Sequence, residues 1–490
     1  MTLRHAHTAD TLASEQTRPA HGSHLPQSSP RLIIVNNGLR DCRGHHYETA
    51  IAVAEAAERF GLSPVMAVHR QCPVDLVPEW LTSVPVFRTE YWIAPKGMRA
   101  HVRGLLDAAL PRLTACAASA VGASLDMRSA WRKYRAARGA SDASIGAAHR
   151  IAGEQQSLQA FQDDLSQLLN RLQVRASDHV YLPTTHGREL VAVRRLLGEL
   201  SATNGPTFHL EFRNPLFLGE PHRDELRGWP QAAHDCRAWF RLYRELGVTS
   251  RIRLYTDSEP LASEYQRVAK LPFAVLPIPF RSRLFQSCEP TSRPPLRLAF
   301  LGEPRDDKGF HWLPKLIERL WRDKSLRNLV ELQFQKSIAS PSVNPKSVAA
   351  VRRLHRYPQN WIFWTGTTGP LVAEEYYGFI ARADLVLFPY EPARYRAATS
   401  GTLAESVAAG KPCVVPAGTW LAEQLPAGCG ETFTDRKTFI EAALQVVRNY
   451  ESYRQSAALM APRFLLTHSP DRLVERLLQR SPAARRQRAA

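Results

Sequence analysis

A chain of 490 residues exceeds what one ordinary core accommodates, so two domains are the natural expectation. Its make-up, 44% hydrophobic and 22% charged, is globular, and no apolar run approaches the ~18 residues that a membrane span requires. The formal net charge of +18 is the one extreme figure, and it calls for an anionic partner: nucleic acid, membrane headgroups or phosphorylated small molecules.

Residues 1–30 lack the apolar core of a signal peptide and read as a disordered tail. RLIIVNN (31–37) reads as a short buried strand. The polar loop GLRDCRGHH follows, then a helix with Tyr47, Ile51, Ala54 and Ala57 on one stripe, closed at Phe60-Gly61 before the strand PVMAVH (64–69). Residues 99–175 are Ala-rich, helical and basic; AWRKYRAAR sets Trp131 and Tyr134 among cations, and FQDDLSQLLNRL is amphipathic. The strands VYLPTT (180–185), TFHLEF (207–212), RIRLYTDS (251–258) and FAVLPIPF (273–280) then alternate with helices. In TFHLEF, Phe208, Leu210 and Phe212 alternate against His209 and Glu211.

SCEPTSRPP (287–295), with its prolines, breaks the rhythm and marks a domain boundary. The β-α pattern resumes with LRLAFLG (296–302), VELQFQ (330–335), WIFWTG (361–366), DLVLFPY (384–390) and PCVVP (412–416). The expected organisation is therefore α/β, with a first domain over 31–286 and a second over 296–455. Helices over 456–480 return to the first domain, and a basic tail covers 481–490. Seven cysteines, at 42, 72, 116, 236, 288, 413 and 429, form no CxxC pair, which points to reduced thiols rather than a disulfide framework or zinc site.

Chemistry concentrates at two places in the second half. In LAFLGEPRDDKGF a strand ends at Gly302, Arg305 and Lys308 follow in a tight loop, and Gly309 opens a helix. A cation at a helix start is normally disfavoured, so Lys308 makes sense if an anion binds there; amides, glycine and two cations form a diphosphate cradle. The plainer alternative is that Asp306 and Asp307 cap the helix and pair with their basic neighbours. In SGTLAESVAAGKPCVVP, Ser400 and Gly401 open a helix. Thr402 and Glu405 either form a capping box or present a carboxylate to the paired hydroxyls of a ribose.

GxxRxxKG after a strand, followed about a hundred residues later by SGTLAESVAAGKPCVVP, resembles the donor domain of glycosyltransferases of the GT-B fold, and within them glycosyltransferase family four. LPIPF resembles that family's domain-crossing strand, and residues 31–61 resemble its opening β-loop-α unit. The resemblance implies two Rossmann-like doubly wound parallel-sheet domains facing across a cleft. It also implies metal-independent, retaining transfer of a sugar from a nucleotide-diphosphate donor to a glycan or lipid-linked acceptor, with no cofactor.

By that resemblance Arg305 and Lys308 hold the donor diphosphate, Ser400, Gly401 and Thr402 contact its distal phosphate or sugar, and Glu405 binds the ribose. Gly302 and Gly44 allow close backbone approach. His186 is the first choice for a catalytic histidine; His45, His46, His209 and Arg213 are candidate acceptor or sugar contacts. Ala397 stands where the family's Glu-x7-Glu motif has its first glutamate, a departure from the pattern that bears on sugar identity and retention. A cytoplasmic protein resting on an anionic membrane through 99–150 and 480–490 is the expected setting. The alternatives are an epimerase of the same architecture, a basic nucleic-acid-binding protein without a recognisable module, and a scaffold that has lost activity.

Overall fold

The computed structural model describes residues 29–41, 45–88, 156–200, 205–218, 230–281, 295–335, 345–365 and 371–479. The basic stretch 99–150, most of the proline-rich boundary and the basic end from 480 onward lie outside the described residues.

Seven parallel strands form the first sheet: β1 (Arg31–Asn36), β2 (Ser63–His69), β3 (Thr82–Phe87), β4 (His179–Leu182), β5 (Thr207–Glu211), β6 (Ile252–Thr256) and β7 (Ala274–Val275), in the order β3-β2-β1-β4-β5-β6-β7. Six more form the second: β8 (Leu296–Phe300), β9 (Val330–Gln335), β10 (Ile362–Thr365), β11 (Leu385–Leu387), β12 (Cys413–Pro416) and β13 (Gly430–Phe433), ordered β10-β9-β8-β11-β12-β13. Near-continuous apolar strands such as RLIIVN suit a sheet covered on both faces. Successive side chains alternate sides. Ile33 and Val35 enter a cluster with Phe161, Leu165 and Leu190, whereas Leu32 and Ile34 enter another with Ile51, Ala54, Leu473 and Val474.

That second cluster joins the far end of the chain to the first sheet. Helix Pro470–Leu478 packs on helix His45–Arg59, and Arg253 Nη1 donates to the carbonyls of Leu477 (2.8 Å) and Gln479 (2.7 Å).

Two edge strands were not legible in the pattern. β3 carries Pro85, tolerable at an edge where no partner needs its N–H. β13 begins at Gly430, where a Cβ would stand 1.8 Å from the Cys413 carbonyl oxygen. FAVLPIPF is paired only over β7. The alternation in TFHLEF does not expose its polar residues: His209 and Glu211 are both 0% accessible. His209, expected as a sugar or acceptor contact, is core instead. Its Nε2 lies 3.0 Å from His179 Nδ1 and its Nδ1 3.1 Å from the Tyr255 hydroxyl, and burial holds its pKa well below the usual range.

Candidate functional site

In the second sheet the strand order reverses between β8 and β11, which lie side by side with Leu385 opposite Leu298. The loops that follow these two strands, 301–309 and 388–400, therefore leave the carboxyl edge together, at the switch point where open parallel sheets bind ligands. The loops are fitted to each other. The Glu391 N–H donates to the Asp307 carbonyl at 2.9 Å, and Gly309 (φ +65°) lies so close that a Cβ would come 1.6 Å from the Pro389 carbonyl oxygen. Gly309→Ala is expected to destabilise the protein by roughly 3 kcal/mol or more in denaturant unfolding. Gly401→Ala, whose Cβ meets nothing within 4 Å, is expected to stay near wild type.

Donors without acceptors gather in this corner. Arg305 Nη2 reaches Asp307 Oδ2 at 2.9 Å, but its buried Nε has no hydrogen-bond partner. Asp307 also draws Arg394 (3.3 Å), and Asp306 accepts from Ser347 Oγ at 2.5 Å. Neither aspartate caps the helix; Gly309 precedes its first turn without a side-chain cap. Lys308 Nζ stands 2.6 Å from where a Gly302 Cβ would be and 5.6 Å from the centroid of the Tyr390 ring, with no carboxylate or carbonyl of the described residues bonded to it. Glycine at 302 (φ +97°) thus makes room for the ammonium. Burial, then the neighbouring Arg305, lowers the Lys308 pKa to about 8, with Asp307 and Glu303 opposing. The Tyr390 hydroxyl is buried and meets no partner at full hydrogen-bond geometry among the described residues, with Ser400 its polar neighbour. Unsatisfied buried donors are rare and costly in folded proteins, so a cluster of them calls for an occupant.

Helix Gly401–Ala408 starts beside this corner. Ser400 is its N-cap, Oγ accepting from the Leu403 N–H at 3.2 Å, so the capping box of Thr402 and Glu405 does not form. Glu405 lies one turn further in, 5% exposed. Its Oε2 accepts from the Tyr376 hydroxyl at 2.5 Å and its Oε1 from Tyr377 at 3.3 Å, and the Tyr376 hydroxyl is also 3.3 Å from Thr402 Oγ1. Burial pushes the Glu405 pKa up to about 7 against these two hydrogen bonds, with Glu48 of the first domain adding to the rise. Glu48 is itself paired with Arg281 at 2.9 Å.

On the facing domain, Gly44 and the His45 side chain lie outside the described residues. His46 is half-buried and its carbonyl accepts from Asn36 Nδ2 at 3.3 Å. His186 caps helix Gly187–Glu199 just past β4, its N–H donating to Glu189 at 2.9 Å and its Nε2 3.1 Å from Asn214 Nδ2. Arg213 is not free for an acceptor: Glu211 holds it at 3.0 and 3.2 Å, with Asp257 Oδ2 at 3.9 Å. Two open cavities of about 530 and 610 Å³ also lie at the domain junction, beside Asp257, Trp420 and His468, and beside Glu55, Trp80 and Arg281. Neither is lined by the Arg305–Lys308 loop.

Among solved structures the chain is similar, over nearly its whole length, to several proteins. Sucrose-phosphate synthase from Thermosynechococcus elongatus aligns with TM-score 0.57 at 10% identity, covering 94% of this chain and 99% of that one. A UDP-forming α,α-trehalose-phosphate synthase from Burkholderia xenovorans gives 0.58 at 14%, covering 94% and 100%. Anabaena Alr3699/HepE, solved in complex with UDP, gives 0.51 at 10%, covering 94% and 100%.

The chain has the GT-B glycosyltransferase fold.

The sequence itself matches no family model and no curated protein. Within the GT-B frame the structure brings Gly302, Arg305, Lys308 and Ser400 to one sheet edge and leads Thr402 and Glu405 away from it along one helix. The tyrosines at 376, 377, 390 and 395 complete this arrangement and went unread in the sequence. Their signals were present in EEYYG and FPYEPARY, but a tyrosine pattern alone does not separate core packing from a site.

Proposed function

We propose that this protein is a glycosyltransferase that moves a sugar from a nucleoside diphosphate sugar to the hydroxyl of a glycan or lipid-linked acceptor. One observation carries the reading: the unpaired Lys308 ammonium and the orphaned Arg305 Nε meet at the carboxyl edge of β8, beside the start of helix Gly401–Ala408. That combination suits a diphosphate in charge and geometry.

In this reading the acceptor oxygen attacks the anomeric carbon as the bond from that carbon to the diphosphate breaks, and the hydroxyl proton passes to the departing phosphate oxygen. Arg305 and Lys308 stabilise the negative charge as it grows on the leaving group, so the route needs no metal ion to do so. The amides of Gly401 and Thr402 contact the distal phosphate. Glu405 takes the ribose hydroxyls, exchanging its hydrogen bond from Tyr376 for theirs. His186, half-exposed at the facing edge, is the residue this reading assigns to contact the sugar. Retention of anomeric configuration belongs to the same proposal.

UDP or GDP is expected to raise the melting temperature, since ligand at about 100 times its Kd adds ~2.7 kcal/mol to the folded state. An unchanged melting curve at millimolar concentrations of both nucleotides would refute the donor-site reading.

A further inference from the structure

Of the four residues leading into Ser400, three (Arg396, Ala397 and Thr399) are held by the opposite domain, while Ala398 packs on the core of its own. Arg396 forms a buried ion pair with Glu264. Ala397 is 1% exposed and belongs to the hydrophobic cluster of Phe212, Leu261 and Tyr265 on the first sheet. Its carbonyl accepts from Ser258 Oγ at 2.8 Å, and the same Oγ caps helix Glu259–Ala269 by accepting from the Leu261 N–H at 3.2 Å. Thr399 Oγ1 donates to Asp257 Oδ2 at 2.6 Å. Asp257 in turn neighbours the Glu211–Arg213 pair, and all these partners sit at the carboxyl ends of β5 and β6 or on the helix that follows.

A segment anchored at three of its four residues cannot drift independently of the first domain. The next residue, Ser400, caps the helix Gly401–Ala408 and lies beside Tyr390 in the Arg305–Lys308 corner. A Glu at 397, where the resembled family has one, would put a carboxylate into an apolar cluster. Alanine there serves docking, with its methyl in the opposite core and its carbonyl on Ser258.

We propose that residues 396–399 form an interdomain latch in which Asp257, Ser258 and Glu264 act as positioning residues, fixing the entry of the chain into Ser400–Thr402 so that the donor helix is correctly aimed only when the two domains are closed. The consequence for donor binding rests on the proposed function above; the latch itself rests on these contacts alone.

The test uses the full-length chain and two readouts: UDP and GDP affinity by calorimetry, and domain separation by small-angle X-ray scattering. Thr399→Val keeps the side-chain shape but loses the hydroxyl, and is expected to weaken nucleotide binding about tenfold. Thr399→Ser, which restores the donor, should recover most of it. Ala397→Glu should enlarge the radius of gyration while both domains keep their cooperative unfolding. Wild-type affinity in Thr399→Val, or equal weakening by Thr399→Ser, would overturn the positioning role. Wild-type scattering from Ala397→Glu would overturn the latch. If the wild-type chain binds neither nucleotide, the donor reading fails while scattering still decides the latch. Should Ala397→Glu not fold, scattering from Thr399→Val decides it by the same criterion.

Discussion

Lys308→Met is expected to abolish the nucleotide-dependent rise in melting temperature and, at the same time, to make the unliganded protein more stable at pH 7. The two effects share one cause. Burial and Arg305 lower the Lys308 pKa from 10.5 to about 8, so at pH 7 the folded protein carries a charged amine in a place that disfavours it. The difference corresponds to about 3 kcal/mol, less whatever solvent screening recovers at this partly accessible side chain. The sign follows from proton counting: between pH 8 and 10.5 the unfolded chain holds this proton and the folded one does not, so stability rises with pH across that window. Methionine, always neutral and able to lie over Tyr390, removes the cost. Its advantage should be ~1–3 kcal/mol at pH 7 and shrink above pH 8. Denaturant midpoints at pH 7 and 9.5 measure this directly. A bound diphosphate restores the partner that the amine lacks, so nucleotide binding near pH 8.5 should take up protons, readable from calorimetry in buffers of different ionisation enthalpy. A methionine variant that is less stable at pH 7 and still binds nucleotide would contradict both parts.

Much of this corner was legible in the amino-acid order because backbone constraints are local. Gly302, Gly309 and the apolar run LRLAF specify a strand, a sharp exit and a turn, and the structure has them within two residues. The short edge strands were not legible, since β13 depends on the close approach of Gly430 to Cys413 across the sheet. His209 is a candidate contact by its place near the end of a strand, but helices cover both faces of this sheet, so the imidazole is core and is satisfied by His179 and Tyr255. Of the two roles open to Glu405, the capping box does not form, and in this structure the carboxylate's partners are tyrosines some thirty residues earlier. Ala397 shows the same limit. Its departure from the resembled motif was visible in the sequence, but its seat in the other domain's core depends on contacts more than a hundred residues away.

Glu405→Gln should separate the cost of this carboxylate from its use. The Glu405 pKa is pushed from 4.5 up to about 7, so the folded protein binds this proton more tightly than the unfolded chain does. Its stabilising contribution is therefore complete below pH 4.5 and lost as pH rises through 7, after which the fold carries a buried carboxylate held by two tyrosine hydroxyls. Glutamine keeps an acceptor for Tyr376 without the charge. We expect the variant to be more stable than wild type by ~2–3 kcal/mol at pH 8, with the gap closing towards pH 5. Binding should move the other way. A ribose diol donates better to a carboxylate than to an amide, so wild type should favour UDP over 2′-deoxy-UDP by about tenfold, and the variant should bind the two nearly equally. Because the diol favours the ionised acid, nucleotide binding near pH 6.5 should also release protons, opposite in sign to the uptake at Lys308. An undiminished preference for UDP in Glu405→Gln would leave the carboxylate as an interior partner of Tyr376 and Tyr377 and place the ribose elsewhere.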